Sequence, residues 1–321
     1  MNTHKIKNKL KRGLPAAALP LLLLPSGGCF TGIEGTKRID ISREDRKLMV
    51  KTPEDTFLNQ IGKTYLKNWK PGKVFIVSDN RLPLLFDQPP AGKFPEDTSG
   101  MTGRHLRYAG LDSRRRPDGS LEGVILFSDG TKVYRLPVGK EPERMTDEVT
   151  GHDLPMLIDA DAVARADRLM TEKELWIKTS LWYDLSGNRI SGRKFVPLTV
   201  ARVEPGTMVF PLRVVLRDTD GNLSVQYMNM GDGTHESRSF AKLFSLTDPR
   251  RNYPAISEEH WKMIQEGRIE TGMTKEECRL SLGNPTNVDS GHDHNSAIDI
   301  WQYDNGLFLR FEDGLLVTLL K

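Results

Sequence analysis

The sequence predicts a mostly β protein with α+β character: a β-rich body, then a module of two helices and a three-stranded antiparallel meander. Three observations predict this. Tight-turn dipeptides recur at Asp118-Gly119, Asp129-Gly130, Asp220-Gly221 and Asn305-Gly306. Short runs rich in Val, Ile, Phe, Tyr and Leu lie between them (KVFIV, GVILF, KVYRL, ELWIK, LSVQYM), and such runs separated by a turn dipeptide read as hairpins. Helical patterns in the body are few, over residues 56–67 and 160–170.

Taken in order, the chain opens with a basic head, Lys5, Lys7, Lys9, Lys11 and Arg12, followed by an apolar stretch over residues 14–24. A spanning helix needs roughly twenty apolar residues, and this stretch has eleven, broken by Pro15 and Pro20. Head, short apolar core and small-residue exit describe a secretory signal peptide over residues 1–28. The exit, Ser26-Gly27-Gly28-Cys29, resembles the lipobox of bacterial lipoproteins, with Ser26 where an aliphatic residue usually stands. That resemblance implies a lipid on Cys29 and attachment to a membrane through it. Phe30 rather than Asp follows the cysteine, which in the sorting scheme of such lipoproteins implies the outer membrane; the periplasmic face is expected.

Removing the signal peptide changes the charge. The whole chain has 46 basic and 43 acidic side chains, five of the basic ones in residues 1–28, so the remainder carries 41 against 43, a net −2. The basic excess belongs to the leader, and neither charge nor compartment points to nucleic acid. With Cys29 acylated, Cys278 has no partner in the chain for a disulfide.

Residues 29–52 are polar and charged and read as a tether. The body divides into residues 53–150 and 151–250, and the order of their pieces predicts a repeat. Each half has a helical pattern, a strand (KVFIV, ELWIK), a second strand near Leu106 or Val196, and a hairpin. Leu106 to Phe127 and Val196 to Arg217 both span twenty-one positions. Two strongly bent sheets or small SH3-like barrels in succession are expected.

Residues 251–321 form the last unit. Ser257 caps one helix, with Trp261 and Ile264 on one face, and Gly267 ends it. Thr274 caps a second, where Glu277 completes a capping box, Cys278 and Leu282 share the inner face, and Gly283 with Pro285 stops it. A polar loop then leads into IDIWQYDNGLFLRFEDGLLVTLL, read as three strands.

Gly272-Met273-Thr274, Leu282-Gly283-Asn284-Pro285, Trp301-Gln302-Tyr303 and Phe311-Glu312-Asp313-Gly314 are similar, in order, to the motifs of the SmpA/OmlA (BamE-like) lipoprotein domain. The resemblance covers about a fifth of the chain. It implies envelope lipoproteins that act by binding other proteins, among them an accessory of outer-membrane β-barrel assembly. BamE-type proteins carry this unit just after the lipid, whereas here about 220 residues intervene.

Other stretches have an ordinary reading beside a chemical one. His292 and His294 in GHDHN could meet one metal from alternate strand positions, but no third ligand is evident and zinc sites take three or four; no metal and no cofactor is expected. DTDGN, 218–222, lacks the Gly and Glu that a calcium loop needs at its sixth and twelfth positions and reads as a hairpin turn. SRRRP, 113–117, reads as a solvated hairpin tip, Trp182-Tyr183-Asp184 as core, and Cys278 as a small buried residue. Trp301 and Tyr303 share one strand face. That face is expected in the core against the helix stripe, with Trp261, Ile264, Cys278, Leu282, Phe308 and Leu316; if it points outward, the two aromatics become candidate partner contacts.

The functional expectation is a lipid-anchored cell-envelope protein that binds another envelope protein without being an enzyme. The alternative is a cell-wall or glycan-active enzyme in the β-rich body. A cleft with two converging acids would favour the enzyme, and an exposed apolar patch on the C-terminal sheet the binder. Cys29→Ser should block lipidation and release the chain from membranes. Fractionation checks this; equal recovery of both forms in the membrane pellet contradicts it.

Overall fold

The computed structural model describes residues 51–87, 100–231, 237–293 and 296–321. Cys29, the signal peptide and all but the end of the tether lie outside the described residues. The fold is mostly β with α+β character, arranged as three antiparallel sheets of five, seven and four strands.

The first sheet contains β1 (Val74–Val77), β2 (His105–Arg115), β3 (Leu121–Ser128), β4 (Val133–Pro137) and β5 (Leu157–Asp159), in the order β4-β3-β2-β1-β5. Its hairpin turns form where Asp-Gly predicts them. Asp118 accepts the Ser120 N–H at 2.9 Å, Asp129 accepts those of Thr131 and Lys132 at 2.8 Å each, and the glycine after each aspartate has a positive φ. Phe75, Leu106, Ile125 and Phe127 form the core. Helix α2 (Pro142–Glu148), which follows the one-turn helix α1 (Pro53–Thr56), seats Met145 against β3. Only glycine fits at position 123, since a Cβ there would lie 1.9 Å from the Met145 sulfur.

The second sheet contains β6 (Glu174–Ile177), β7 (Leu181–Tyr183), β8 (Arg189–Ser191), β9 (Val196–Pro205), β10 (Leu212–Arg217), β11 (Leu223–Met228) and β12 (Phe244–Ser245). Its order is β12-β6-β9-β10-β11-β7-β8. Without the β7–β8 hairpin, which attaches at the β11 edge, this is the arrangement of the first sheet. Both second strands bulge at an alanine, Ala109 in β2 and Ala201 in β9, which the pairing skips. A bulge bends the strand and strengthens its twist. Neither sheet closes into the small barrel that was expected. The two edges of each sheet stay unpaired with one another, β4 from β5 and β12 from β8.

Residues 56–67 are not one helix. A 3-10 stretch, Phe57–Ile61, stops at Gly62, whose φ is +67°, and a second covers Leu66–Asn68. Phe57, Leu58 and Ile61 cross into the core of the second sheet, Phe57 stacking on Phe240 at 4.2 Å between ring centroids. Helix α3 (Ala160–Met170) forms as predicted and places Ala162, Val163, Ala166 and Met170 in that core. Its N-cap, Asp159, is fully buried, accepts the Asp161 N–H at 3.0 Å and pairs with the buried Lys73 ammonium at 2.6 Å.

After α4 (Phe240–Leu243), the last unit begins with α5 (Glu258–Gln265) and α6 (Lys275–Leu282). Ser257 caps α5 through the His260 N–H at 3.1 Å, and the Thr274–Glu277 capping box holds α6, with bonds of 3.2 and 2.7 Å. The sheet has four strands where three were expected: β13 (Asn287–Asp293), β14 (Ser296–Gln302), β15 (Phe308–Glu312) and β16 (Leu315–Leu320). The stretch read as a polar loop is β13, paired with β14 from Asn287↔Gln302 to Asp293↔Ser296. Backbone bonds make this strand, and its polar side chains hide it from hydropathy. Met273, Cys278, Trp301, Tyr303, Leu309, Phe311 and Leu316 form one core, with Leu282 packed against it. Trp261 and Ile264 instead join Phe195 of the loop before β9, and Phe308 points outward, so these three leave the expected core.

His152 is half-buried beside the first two cores. Its Nε2, Asp159 Oδ2 and one Arg165 guanidinium nitrogen are buried without a hydrogen-bond partner. Desolvation pulls the imidazole below its ordinary 6.5; Asp159 and Asp153 oppose this, Lys63 and Arg165 add to it. Below that pH the unfolded chain takes up a proton that the folded chain resists, so stability is complete above it and falls as pH drops. His152→Gln should therefore lose less stability than the unmutated chain between pH 7 and about pH 5, as measured by denaturant melts. Trp301, 2% exposed and packed on Phe311 at 4.7 Å, should cost about 3–5 kcal/mol on replacement by Ala, read as a lower denaturant midpoint.

Candidate functional site

Side chains of a strand alternate between faces. In β14 and β15 the inward set is Trp301, Leu309 and Phe311, so the same alternation drives Ile300 and Phe308 outward. Phe308 lies directly opposite Leu320, while Ile300 lies opposite Arg310, which lies opposite Thr318. Ile300 is 40%, Phe308 39% and Leu320 63% exposed, and Leu315, Val317 and Leu319 of β16 are exposed as well. Arg310 pairs with Glu312 on the same face, which leaves its charge balanced within the apolar patch.

β16 is also an edge strand. Its first half is covered: Gly272 N–H donates to Leu316 O and Leu316 N–H to Met273 O, each at 2.8 Å, and Thr274 bridges Leu315. Past Leu316 no described segment pairs with its outer side.

A cleft of about 1110 Å³ lies between the second sheet and α6. Lys178, Lys194, Lys242 and Arg279 line it, with Glu54 and Asp55 on another wall. The acids are occupied. Asp55 closes a capping box with Thr52 at 2.9 Å, and Glu54 accepts the Leu246 N–H at 3.0 Å and the Ser245 hydroxyl at 3.2 Å. Burial raises the Glu54 carboxyl, but these bonds and Lys178 together hold it below its usual value. Glu54 and Asp55 thus each brace the local backbone. Lys194 is nearly buried; its ammonium donates to Leu280 O at 2.7 Å and to Ser281 O, at the C-terminal end of α6, where a cation is favoured. Burial brings it down to about 8, so it remains mostly charged at neutral pH. It joins the last unit to the second sheet, beside the edge-on Phe195–Trp261 contact at 5.8 Å.

The candidate residues fall as follows. Trp301 and Tyr303 face the core, Tyr303 donating its hydroxyl to Gly283 O at 3.1 Å, so both are packing residues rather than exposed contacts. The Arg279 guanidinium sits 5.0 Å over the Trp301 ring. His292 is exposed on β13, and His294 lies outside the described residues. Among the described residues no group of three or more His, Cys, Asp or Glu could hold a metal ion. Asp218 is used within its own turn by Asp220 and Asn222 N–H groups, at 2.9 and 2.8 Å. In SRRRP, Arg114 is paired with Glu122 and Asp87 at 2.9 Å each, and Arg116 with Glu122 at 3.3 Å. Trp182 packs on the second core and donates to Thr179 O at 2.9 Å. The Cys278 thiol is fully buried and pushed up to about 12 by burial, which removes it as a nucleophile. The outward row of Ile300, Phe308 and Leu320 was not singled out from sequence; the signal for Phe308 was its alternation with Leu309 and Phe311.

Among the described residues no helix is long and apolar enough to cross a membrane. No family model matches the chain, nor does any curated protein, so the likeness to BamE-like domains rests on the motif residues quoted above.

Proposed function

We propose that this chain is a lipid-anchored protein of the cell envelope, held through Cys29 at the periplasmic face of the outer membrane, that binds another envelope protein without catalysing a reaction. The observation that carries the reading is the apolar outer face of the C-terminal sheet, Ile300, Phe308 and Leu320. Exposed apolar surface is unfavourable in water, and large apolar side chains gathered on one face favour an interaction site. The resemblance of residues 272–314 to BamE-like domains supports the same role. The capping and hydrogen bonding of Glu54 and Asp55 in the cleft weigh against the glycan-active alternative.

Crosslinking in intact envelopes, with the full chain as bait, tests this. Phe308→Asp places a charge in the patch on an outward position and leaves the core untouched, so the fold should survive while crosslinked partner is largely lost. An unchanged crosslinking pattern in a folded Phe308→Asp chain contradicts the reading.

A further inference from the structure

Among the described residues ten polar or charged side chains are buried, and all but two hydrogen-bond. The exceptions are Ser224 and Ser239. A buried hydroxyl without a partner is unfavourable and calls for a group that satisfies it. Ser239 lines the large cleft, together with Thr52 near the start of the described chain. Ser224 lines a separate pocket of about 500 Å³, within the usual span of ligand pockets, roughly 300–1,000 Å³. The β7–β8 hairpin, the start of β9 and the β10–β11 turn bound this pocket. That hairpin is the piece the first sheet lacks, so the pocket is built by what distinguishes the second sheet from the first. Trp182 forms one wall. Its Nε1–H donates to Thr179 O at 2.9 Å, and its indole lies so close over Gly192 that a Cβ there would be 2.1 Å from the ring. Ile190, opposite Trp182 in the hairpin and 41% exposed, and Val196 add apolar surface. Asp218 uses its carboxylate within the turn, where it accepts from the Asn222 N–H and side-chain amide at 2.8 and 2.9 Å. The carboxylate of Asp220, also on the lining, makes no hydrogen bond or ion pair among the described residues.

We infer that this pocket binds a neutral sugar ring, with the apolar walls against its C–H surface, Ser224 bonded to a hydroxyl at the deep end and the Asp220 carboxylate bonded to hydroxyls at the rim. Ser224 is buried and Asp220 exposed, so the ligand needs polar groups at both ends and apolar surface between them. A hydrocarbon chain would leave both residues unpaired. Asp218 and Asp220 stand against one cation, Arg193, whose guanidinium already donates to Gln265 at 2.6 Å, and this balance disfavours a phosphate or carboxylate. The rest of the chain fits less well. Residues 29–50 carry nine charged side chains in twenty-two positions, and apolar walls are a poor host for such a segment. On either side of residues 88–99, Asp87 accepts from Arg114 and Gly100 from Arg104, both of β2 or the turn before it in the first sheet. Gly231 follows Met228, at the end of β11 away from the Asp218–Asn222 turn. The site goes beyond the binding role proposed for the C-terminal sheet and does not depend on it.

The probes are glucose, galactose, mannose and N-acetylglucosamine, each added at millimolar concentration to the full chain and followed by the indole N–H signal of Trp182 in NMR spectra, assigned with Trp182→Phe. At least one of these sugars should shift that signal in a saturable way. Asp220→Ala, at a side chain the fold does not use, should weaken the binding at least about tenfold. Ile190→Arg, at an exposed position, should abolish it by filling the mouth of the pocket, and circular dichroism should show both variants folded. Phe308→Asp should leave sugar binding as it is. No saturable shift with any of the four sugars overturns the inference, and so does an unchanged affinity in a folded Asp220→Ala or Ile190→Arg chain. Hexanol or inorganic phosphate binding at the same signal more tightly than every sugar assigns the pocket to an apolar chain or an anion and overturns the sugar.

Discussion

The burial of Trp301 is the constraint on which the C-terminal unit depends. The indole packs on Phe311 inside and carries the Arg279 guanidinium above it, with Cys278 of α6 in the same core. Because the side-chain period of a strand is two, seating this ring settles the side of every neighbour. Leu309 and Phe311 follow it inward; Ile300 and Phe308 have no choice but to face water. The exposure of Ile300, Phe308 and Leu320 is thus a consequence of the core, on a face they share with Arg310, Glu312 and Thr318.

The body obeys a different constraint, that of two similar sheets of which the second takes core residues from the first half of the chain. The segment before the first sheet contributes Phe57, Leu58 and Ile61 to the second core, and Ile158 of β5 joins them. The second sheet therefore does not complete its core from its own strands. The junction concentrates buried polar groups, with Lys73 and Asp159 paired and His152 and Arg165 each leaving a buried nitrogen unbonded. Such groups are unfavourable in isolation and make the junction sensitive to protonation. At the other end, Lys194 and the Phe195–Trp261 contact tie the second sheet to the helices of the last unit, one through carbonyl oxygens and the other through apolar area.

Charge in this molecule is largely spent on architecture. Arg114 and Arg116 of the β2–β3 hairpin are held by Asp87 and Glu122, Arg135 of β4 is held by Asp112, and the acids beside the large cleft cap or brace backbone. The functional reading therefore settles on the exposed apolar side chains of the C-terminal sheet, Ile300, Phe308 and Leu320, rather than on the cleft.

The turns, the strand runs of both hairpins, helix α3 and the caps of α5 and α6 were legible in the sequence because each is local: Asp-Gly and Asn-Gly impose their own φ, and Thr274 reaches Glu277 within one turn. The order common to the two sheets could also be read from the succession of pieces. Tertiary structure alone decided the rest. β13 is polar and exists because β14 supplies its backbone partners. Residues 56–67 lose their helix at Gly62 and send Phe57 to a distant core. Trp261 leaves the core its helix spacing implied, because Phe195, far off in sequence, offers the closer surface. Phe308 turns outward because Trp301 turns inward. A periodic pattern says which residues share a face; only packing against the rest of the chain says which way that face looks.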